Sequence, residues 1–449
     1  MNDLPVIVVG AGPVGLAAAA HLHNEGLPFI VLEAGEHAGW SVSEWGHVRL
    51  FSPWKYLVDD TARALLEDHG WVAPPGDDIP TGAELVHQYV RPLADHPALA
   101  TSIRTGTRVR TVTRSGADKL SSNSRDQRPF EVHVETTDGH EEVLTARAVI
   151  DASGTYENPN PLGASGTPAP GERAAADRLF YRIPDVRGRD RERFVRARVG
   201  VVGSGHSAFN TLLDLADLPE GERPHVTWFI RSETTGRIFG GEDADALSER
   251  GALGRRMREL AESGHLEVKP GFRAHRVAME GDGVRLQSVG GDTSAPLDVV
   301  VVVTGFRPDL SILREVRAEL DPTVEAPSAL APLIDPNIHS CGTVPPHGYR
   351  ELSHPETDFY VVGMKSYGRA PTFLLLTGYE QVRSVVKALS GDLEAAANVQ
   401  LVLPETGVCG TDVASDAAGQ SCCAPASESY PSCSTEPQLV SIGLDRSRS

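Results

Sequence analysis

The chain has 449 residues, 40% hydrophobic and 23% charged, which is enough for two or three domains with cores of their own. Its 42 basic and 61 acidic residues give a formal net charge of -19, a balance that repels nucleic-acid phosphates and anionic lipid surfaces. No stretch reaches the roughly 18 to 20 consecutive apolar residues of a membrane span, so neither nucleic acid nor membrane is an expected partner.

The opening "MNDLPVIVVGAG" has no basic region ahead of its apolar run, and it reads as a buried first strand rather than an export signal. A reducing, cytoplasmic location is expected, and the five cysteines do not suggest a disulfide framework. Residues 4–33 predict strand, tight turn, helix and strand, with Gly10, Gly12 and Gly15 forming a complete G-x-G-x-x-G. The first glycine permits the turn, the second lets a pyrophosphate approach the backbone, and the third lets helix and strand pack closely. Glu33 closes the second strand at the spacing of a ribose-binding carboxylate, and further contacts are expected at Pro13, Val14 and Ala34.

After this unit, "GHVRLFSPWKY" offers His47, Arg49 and Trp54. Imidazole, guanidinium and indole suit proton handling, nicotinamide docking and flavin stacking, although a packed loop with satisfied polar groups accounts for them as well. Val109 lies in the strand-like "TRVRTVTR", and the polar "SGADKLSSNSRDQRP" that follows reads as a solvated hairpin loop. "VIDASGTYENPNPLG" is an apolar strand ending in small residues, where Ser153 and Gly154 let the chain pass close to a cofactor.

A second strand, turn and helix follows in "RVGVVGSGHSAFNTLLDLADL", with Gly203, Gly205 and Ala208 as a variant fingerprint and Ser204, His206 and Ser207 as expected cofactor contacts. Its next strand ends at Arg231 where the first unit has an acid. A guanidinium there suits the 2′-phosphate of NADPH, unless it is simply a solvated strand end. "VVVVTGFRPDL" repeats the crossover pattern with Gly305. The fold class read from these motifs is α/β, with two Rossmann-type dinucleotide-binding domains.

Together these motifs resemble the flavin-containing monooxygenase-like flavoproteins, which carry two dinucleotide-binding domains. More narrowly, "EWGHVRLFSPWKYLVD", "VVGSGHSA", "PPHGYRELSHPETDFYVVGMKSYGRAPTFLLLTGYEQVRS" and "LPETGVC" are similar to the flavin-dependent monooxygenases of bacterial arsenic-resistance operons. The resemblance implies an FAD-binding domain at 1–165 and 330–403, an inserted NADPH-binding domain at 166–329, and FAD and NADPH as cofactors. It implies that one atom of O2 passes to a nucleophilic lone pair, trivalent arsenicals such as methylarsenite being the substrate class. An organic amine, thioether or ketone as substrate stays open, as does an arsenic-binding or redox-sensing flavoprotein without turnover.

The F-x-G-x-x-x-H signature of the wider family is missing before the second fingerprint, and Gly363 is followed by Met364 where the family has aspartate. No C-x-x-C pair occurs. "YGRAPTFLLLTGYEQVRSV" is expected to form a helix aimed at the flavin, with Pro371 in its first turn and Lys365 and Arg369 adding charge. His339, Cys341, His347 and His354 lack the compact spacing of a zinc site and suggest a loop over the active site instead. "LEAAANVQLVLPE" is expected to dock on the body. Residues 404–449 read as a flexible tail whose Cys409, Cys422, Cys423 and Cys433 are soft thiolates suited to arsenic(III) capture.

Overall fold

The computed structural model describes residues 3–236, 238–240, 248–338, 344–371 and 373–401. The chain opens with β1 (Val6–Val9), the helix α1 (Pro13–Asn24) and β2 (Phe29–Leu32), then reaches β3 (Ile103–Arg104). An antiparallel excursion of β4 (Thr107–Arg114), β5 (Phe130–Thr136) and β6 (Glu141–Ala146) precedes the return at β7 (Ala148–Asp151). The second unit contains β8 (Leu179–Tyr181), β9 (Arg198–Val202), α2 (His206–Ala216), β10 (His225–Phe229), α3 (Ser248–Glu262) and β11 (Leu266–Lys269). A hairpin of β12 (Ala274–Glu280) and β13 (Gly283–Ser288) leads to β14 (Val299–Val302), and the chain then rejoins the first unit with β15 (Phe359–Val361) and α4 (Leu375–Ser390).

Two parallel five-stranded sheets result, ordered β15-β7-β1-β2-β3 and β11-β10-β9-β14-β8. Their central strands explain themselves. β1 "VIVV", β7 "AVID" and β14 "VVVV" are buried at every residue, as strands covered on both faces must be, and β-branched side chains fit that pleated interior. β4 alternates instead, burying Thr107, Val109, Val112 and Arg114, and a bulge between Val109 and Thr111 shifts the phase.

The chain enters and leaves the second unit through one paired crossover. Asn160 N donates to Gly305 O at 2.9 Å, Asn160 Nδ2 donates to Thr304 O at 3.1 Å, and Arg307 N donates to Asn158 O at 3.0 Å. Leu162 already packs in the second unit's core beside Leu179 and Val202. The stretch 310–329, expected with the second domain, packs on the first. Ile312, Leu313 and Val316 join β1, β5 and β7, while Val324 and Ala326 join the cluster around α1, because the apolar side chains after the crossover face the first sheet.

The loop 115–129 is not the solvated hairpin tip its polarity suggests. Arg125 is buried and donates to Asp118 O at 2.6 Å, Glu315 O at 2.8 Å and Glu356 Oε2 at 2.8 Å. The helix Leu393–Ala397 does dock: Ser384 Oγ donates to Ala396 O at 2.6 Å. No helix among the described residues is long and apolar enough to cross a membrane. Residues 404–449, with Cys409, Cys422, Cys423 and Cys433, lie outside the described residues, as do His339 and Cys341.

Candidate functional site

At the carboxyl ends of the first sheet, β1 turns into α1 through Gly10, whose φ of +97° is a conformation few other residues adopt. A Cβ on Gly15 would lie 1.9 Å from Gly10 O, so the third glycine is what allows the helix onto the turn. At Gly12 a Cβ would meet nothing within 4 Å: the turn borders open space, with the amides of α1 beginning there. Val14, in the first turn of α1, packs against Gly363 and Gly378 and so belongs to the helix contact, while Pro13 occupies the first helical position, where no N–H is missed.

Glu33 is buried and accepts from Ala11 N at 2.7 Å through Oε2 and from Gly35 N at 2.8 Å through Oε1. Each oxygen keeps acceptor capacity, so the carboxylate shapes the loop and still offers a lone pair to a ribose hydroxyl. Ala34 beside it is half-buried. Two other strand ends open onto the same edge of the sheet. Gly154, after β7, has φ +70° and open space where a Cβ would point. Gly363, after β15, has φ +69°, and its N–H donates to Gln381 Oε1 at 2.8 Å.

Several expected side chains stand elsewhere. Trp54 is 4% exposed in the core around α1, which leaves it almost no face for a flavin ring. Val109 is buried in β4. Lys365 is buried rather than presented to a cofactor: its Nζ donates to Asp151 Oδ2 at 2.7 Å and to Ser153 Oγ at 3.0 Å, and Ser153 Oγ donates in turn to Asp151 Oδ1 at 2.7 Å. This pair ties β15 to the turn after β7. Arg369 is exposed, and Arg49 is exposed with Nη1 donating to Ile79 O at 2.8 Å. Helix α4 begins at Leu375, four residues beyond Pro371, so that proline lies outside the first turn. The N-terminus of α4 nonetheless meets that of α1, since a Cβ on Gly378 would sit 2.6 Å from Val14 Cγ2.

At the second sheet, Gly203 has φ +136°, and a Cβ there would lie 2.3 Å from Val303 O. Gly205 caps α2 and, like Gly12, borders open space. Ser204, His206 and Ser207 are half-buried around it, and Arg231 is exposed after β10. Gly305 has φ +93°, and the crossover pairing explains its position, with Asn160 Nδ2 3.3 Å from where a Cβ would be. The first unit reaches this site through Phe51, whose ring lies 4.8 Å from that of His206. His47, four residues earlier, has its buried Nε2 without a hydrogen-bond partner. Asp214 of α2 has its carboxyl raised by burial, against which the charges of Arg187 and His47 pull.

His347 and His354 belong to separate buried networks. His347 Nε2 faces Gln381 Nε2 at 3.0 Å, its Nδ1 faces Pro345 O at 3.1 Å, and burial lowers its pKa. His354 accepts from Glu319 N at 3.3 Å, and burial pushes its pKa down to about 4. No group of metal-ligating side chains occurs among the described residues. Sequence reasoning passed over Asp151, Gln381 and Phe51; Asp151 is a polar residue ending an otherwise apolar strand, which is the signal that would have found it.

These features fit two dinucleotides. Open space at Gly12, Gly154 and Gly205 lies where phosphates must approach backbone amides and helix N-termini. A family model described as pyridine nucleotide-disulphide oxidoreductase matches residues 7–331. An indole-3-pyruvate monooxygenase, YUCCA8 of Oryza sativa subsp. indica, is 31% identical over 230 residues, covering 47% of this chain and 45% of that protein. The chain thus spans about half the length of the curated relatives it matches.

Among solved structures, bacillithiol disulfide reductase from Bacillus cereus has a TM-score of 0.63 at 18% identity, covering 86% of this chain and 99% of its own. A flavin monooxygenase from Stenotrophomonas maltophilia has a TM-score of 0.54 at 23% identity, covering 87% and 99%. Ornithine hydroxylase from Pseudomonas aeruginosa has 0.56 at 16%, covering 88% and 99%. At such identities these structures share the fold. With the family match over most of its length, two parallel sheets and a glycine turn on each, the chain belongs to the pyridine nucleotide-disulphide oxidoreductase family.

Proposed function

We propose that this chain is an FAD- and NADPH-dependent monooxygenase that places one oxygen atom of O2 on a nucleophilic lone pair, with trivalent arsenicals such as methylarsenite as its substrate class. The observation that carries the reading is the pair of glycine turns bordering open space, one on each parallel sheet of one chain. The curated relatives are named as monooxygenases, which supports oxygen transfer. The arsenical rests on the sequence resemblance. In the balanced reaction NADPH gives up two electrons as hydride, one oxygen atom goes to the substrate, and the other leaves as water.

Bound FAD supplies the redox and oxygen chemistry. The residues proposed to hold its pyrophosphate are Gly10, Gly12 and Gly15 with the first amides of α1, and Glu33 is assigned its ribose. Ser153, Gly154 and Gly363 border it from the other strand ends. Gly203, Ser204, Gly205, His206 and Ser207 are assigned the NADPH pyrophosphate, and Arg231 its 2′-phosphate. His47, whose buried Nε2 has no hydrogen-bond partner, is assigned proton handling. Lys365 acts by position, holding Asp151 and the turn at Ser153. The tail thiols Cys409, Cys422, Cys423 and Cys433 are proposed to capture arsenic(III).

The test is NADPH oxidation by the FAD-loaded protein with and without methylarsenite, in air and without oxygen, while arsenic speciation is followed. Stimulation accompanied by an oxygen-dependent pentavalent product is expected. Without stimulation or a change in speciation, the arsenical is withdrawn, and an organic substrate, as the relatives' names suggest, takes its place.

A further inference from the structure

The segment that carries Phe51 is mounted rigidly on the first unit. Leu50 N donates to Pro80 O at 2.9 Å and Gly82 N donates to Val48 O at 2.9 Å, so residues 48–50 pair with 80–82. Arg49 adds its bond to Ile79 O, and Thr81 with Glu84 forms a capping box that fixes the far side of the pair. From this mount Phe51 leaves its own unit. Its ring packs against the second unit's core around Phe209 and Trp228, and it meets the His206 ring with planes tilted by 58°. His206 is the first residue of α2, directly after Gly205 and its open space. His47 of the same segment is the electrostatic neighbour of Asp214, two turns further along that helix. One short stretch of the first unit therefore touches the second unit's nucleotide helix at its beginning, with His47 within electrostatic reach of Asp214 further along it.

We propose that Phe51 is a positioning residue for NADPH. By holding His206, it fixes where the N-terminus of α2 stands relative to the first sheet, and so where a nucleotide bound there presents its nicotinamide. This rests on the reading of the second turn as the NADPH site. The step concerned moves one hydride from the nicotinamide to oxidised flavin, leaving NADP+ and reduced flavin. Such a step is steep in distance: a displacement of about 1 Å costs on the order of a hundredfold in rate. The amides at Gly205 belong wholly to the second unit and Phe51 is not among the residues assigned to the phosphates, so most of the nucleotide's affinity is expected to survive its loss.

The experiment uses the FAD-loaded full chain and its Phe51→Ala, Phe51→Leu and Phe51→Tyr variants. NADP+ affinity is measured by calorimetry, anaerobic flavin reduction by stopped flow, and nicotinamide–flavin stacking by long-wavelength charge-transfer absorbance. Phe51→Ala is expected to bind NADP+ within about twofold of the parent and to lose the charge-transfer band, with reduction slowed at least about tenfold. Phe51→Tyr keeps the ring contact and restores both signals. Phe51→Leu, which keeps apolar packing and folding but loses the ring, remains slow. If Phe51→Ala or Phe51→Leu reduces its flavin at the parental rate with the band intact, the proposal is overturned while the NADPH site stands. If the parent protein binds no NADP+, the NADPH site falls and the proposal falls with it.

Discussion

Gly12 and Gly15 sit three residues apart in one turn and are glycine for opposite reasons. Gly15 is confined by its own backbone, with Gly10 O 1.9 Å from where a Cβ would be, whereas Gly12 has extended dihedrals that alanine tolerates and open space in front of it. Gly15→Ala is therefore expected to push α1 away from β1 and to destabilise the apoprotein by about 1–3 kcal/mol, the range for overpacking a tight site. Gly12→Ala should leave the apoprotein's melting temperature unchanged and lower its flavin content. Melting of the apoproteins together with the flavin-to-protein absorbance ratio separates the two, and a Gly12→Ala variant that retains full FAD would mean that this space is not the cofactor's. These glycines were legible in the sequence because their spacing falls within one short strand, turn and helix. Trp54 and Lys365 were not, since residue type alone does not say whether a side chain faces a ligand or the core. Trp54 is buried, and Lys365 finds Asp151 214 positions away in sequence.

Loop 115–129 shows the same limit in an element. Its composition is that of a solvated hairpin tip, and Leu120 is indeed exposed, yet Glu356 accepts from Arg114 Nε at 2.8 Å and from Arg125 Nη2 at 2.8 Å, with all three side chains buried. Arg114 also lies 3.6 Å over the Phe130 ring. Burial raises the Glu356 pKa, but the hydrogen bonds from Arg125 and Arg114 outweigh it and hold the carboxyl below its usual value. A depressed carboxylate stabilises the fold fully above its unfolded pKa of about 4.3 and loses that contribution as pH falls through the folded value. Glu356→Gln at neutral pH leaves two buried guanidinium groups without a countercharge, and the expected cost is about 3–5 kcal/mol by urea unfolding. A loop that merely sat in solvent would change by no more than about 0.5 kcal/mol. Continuous apolar runs announced the central parallel strands and alternating ones the antiparallel excursion, because burial on one or two faces is written in local periodicity. The tie of Glu356 to Arg125 and Arg114 was not announced, because these partners lie 231 and 242 positions from it.

At the scale of the whole molecule, the crossover decides how separable the two units are. Residues 162–303 hold two apolar clusters whose buried members all come from that stretch, and the chain enters and leaves at neighbouring points, Asn160 N lying 2.9 Å from Gly305 O. Such an insertion closes its own core and returns the chain to where it left, which are the conditions under which a segment folds alone. Among the described residues, Phe51 is the member packed on those clusters that comes from outside. A fragment spanning residues 158–308 is thus expected to unfold cooperatively and to bind NADP+ with nearly the affinity of the full chain. The complementary chain, with that stretch replaced by a short Gly/Ser linker, should retain FAD. Circular dichroism melting and calorimetric titration of the two pieces check this. The outcome bears directly on Phe51: if the isolated unit binds NADP+ as the full chain does, whatever Phe51 contributes is made between the units rather than within the site. If the fragment is unfolded, the contact of Phe51 with the second core is part of what stabilises it, and the two units form one cooperative body.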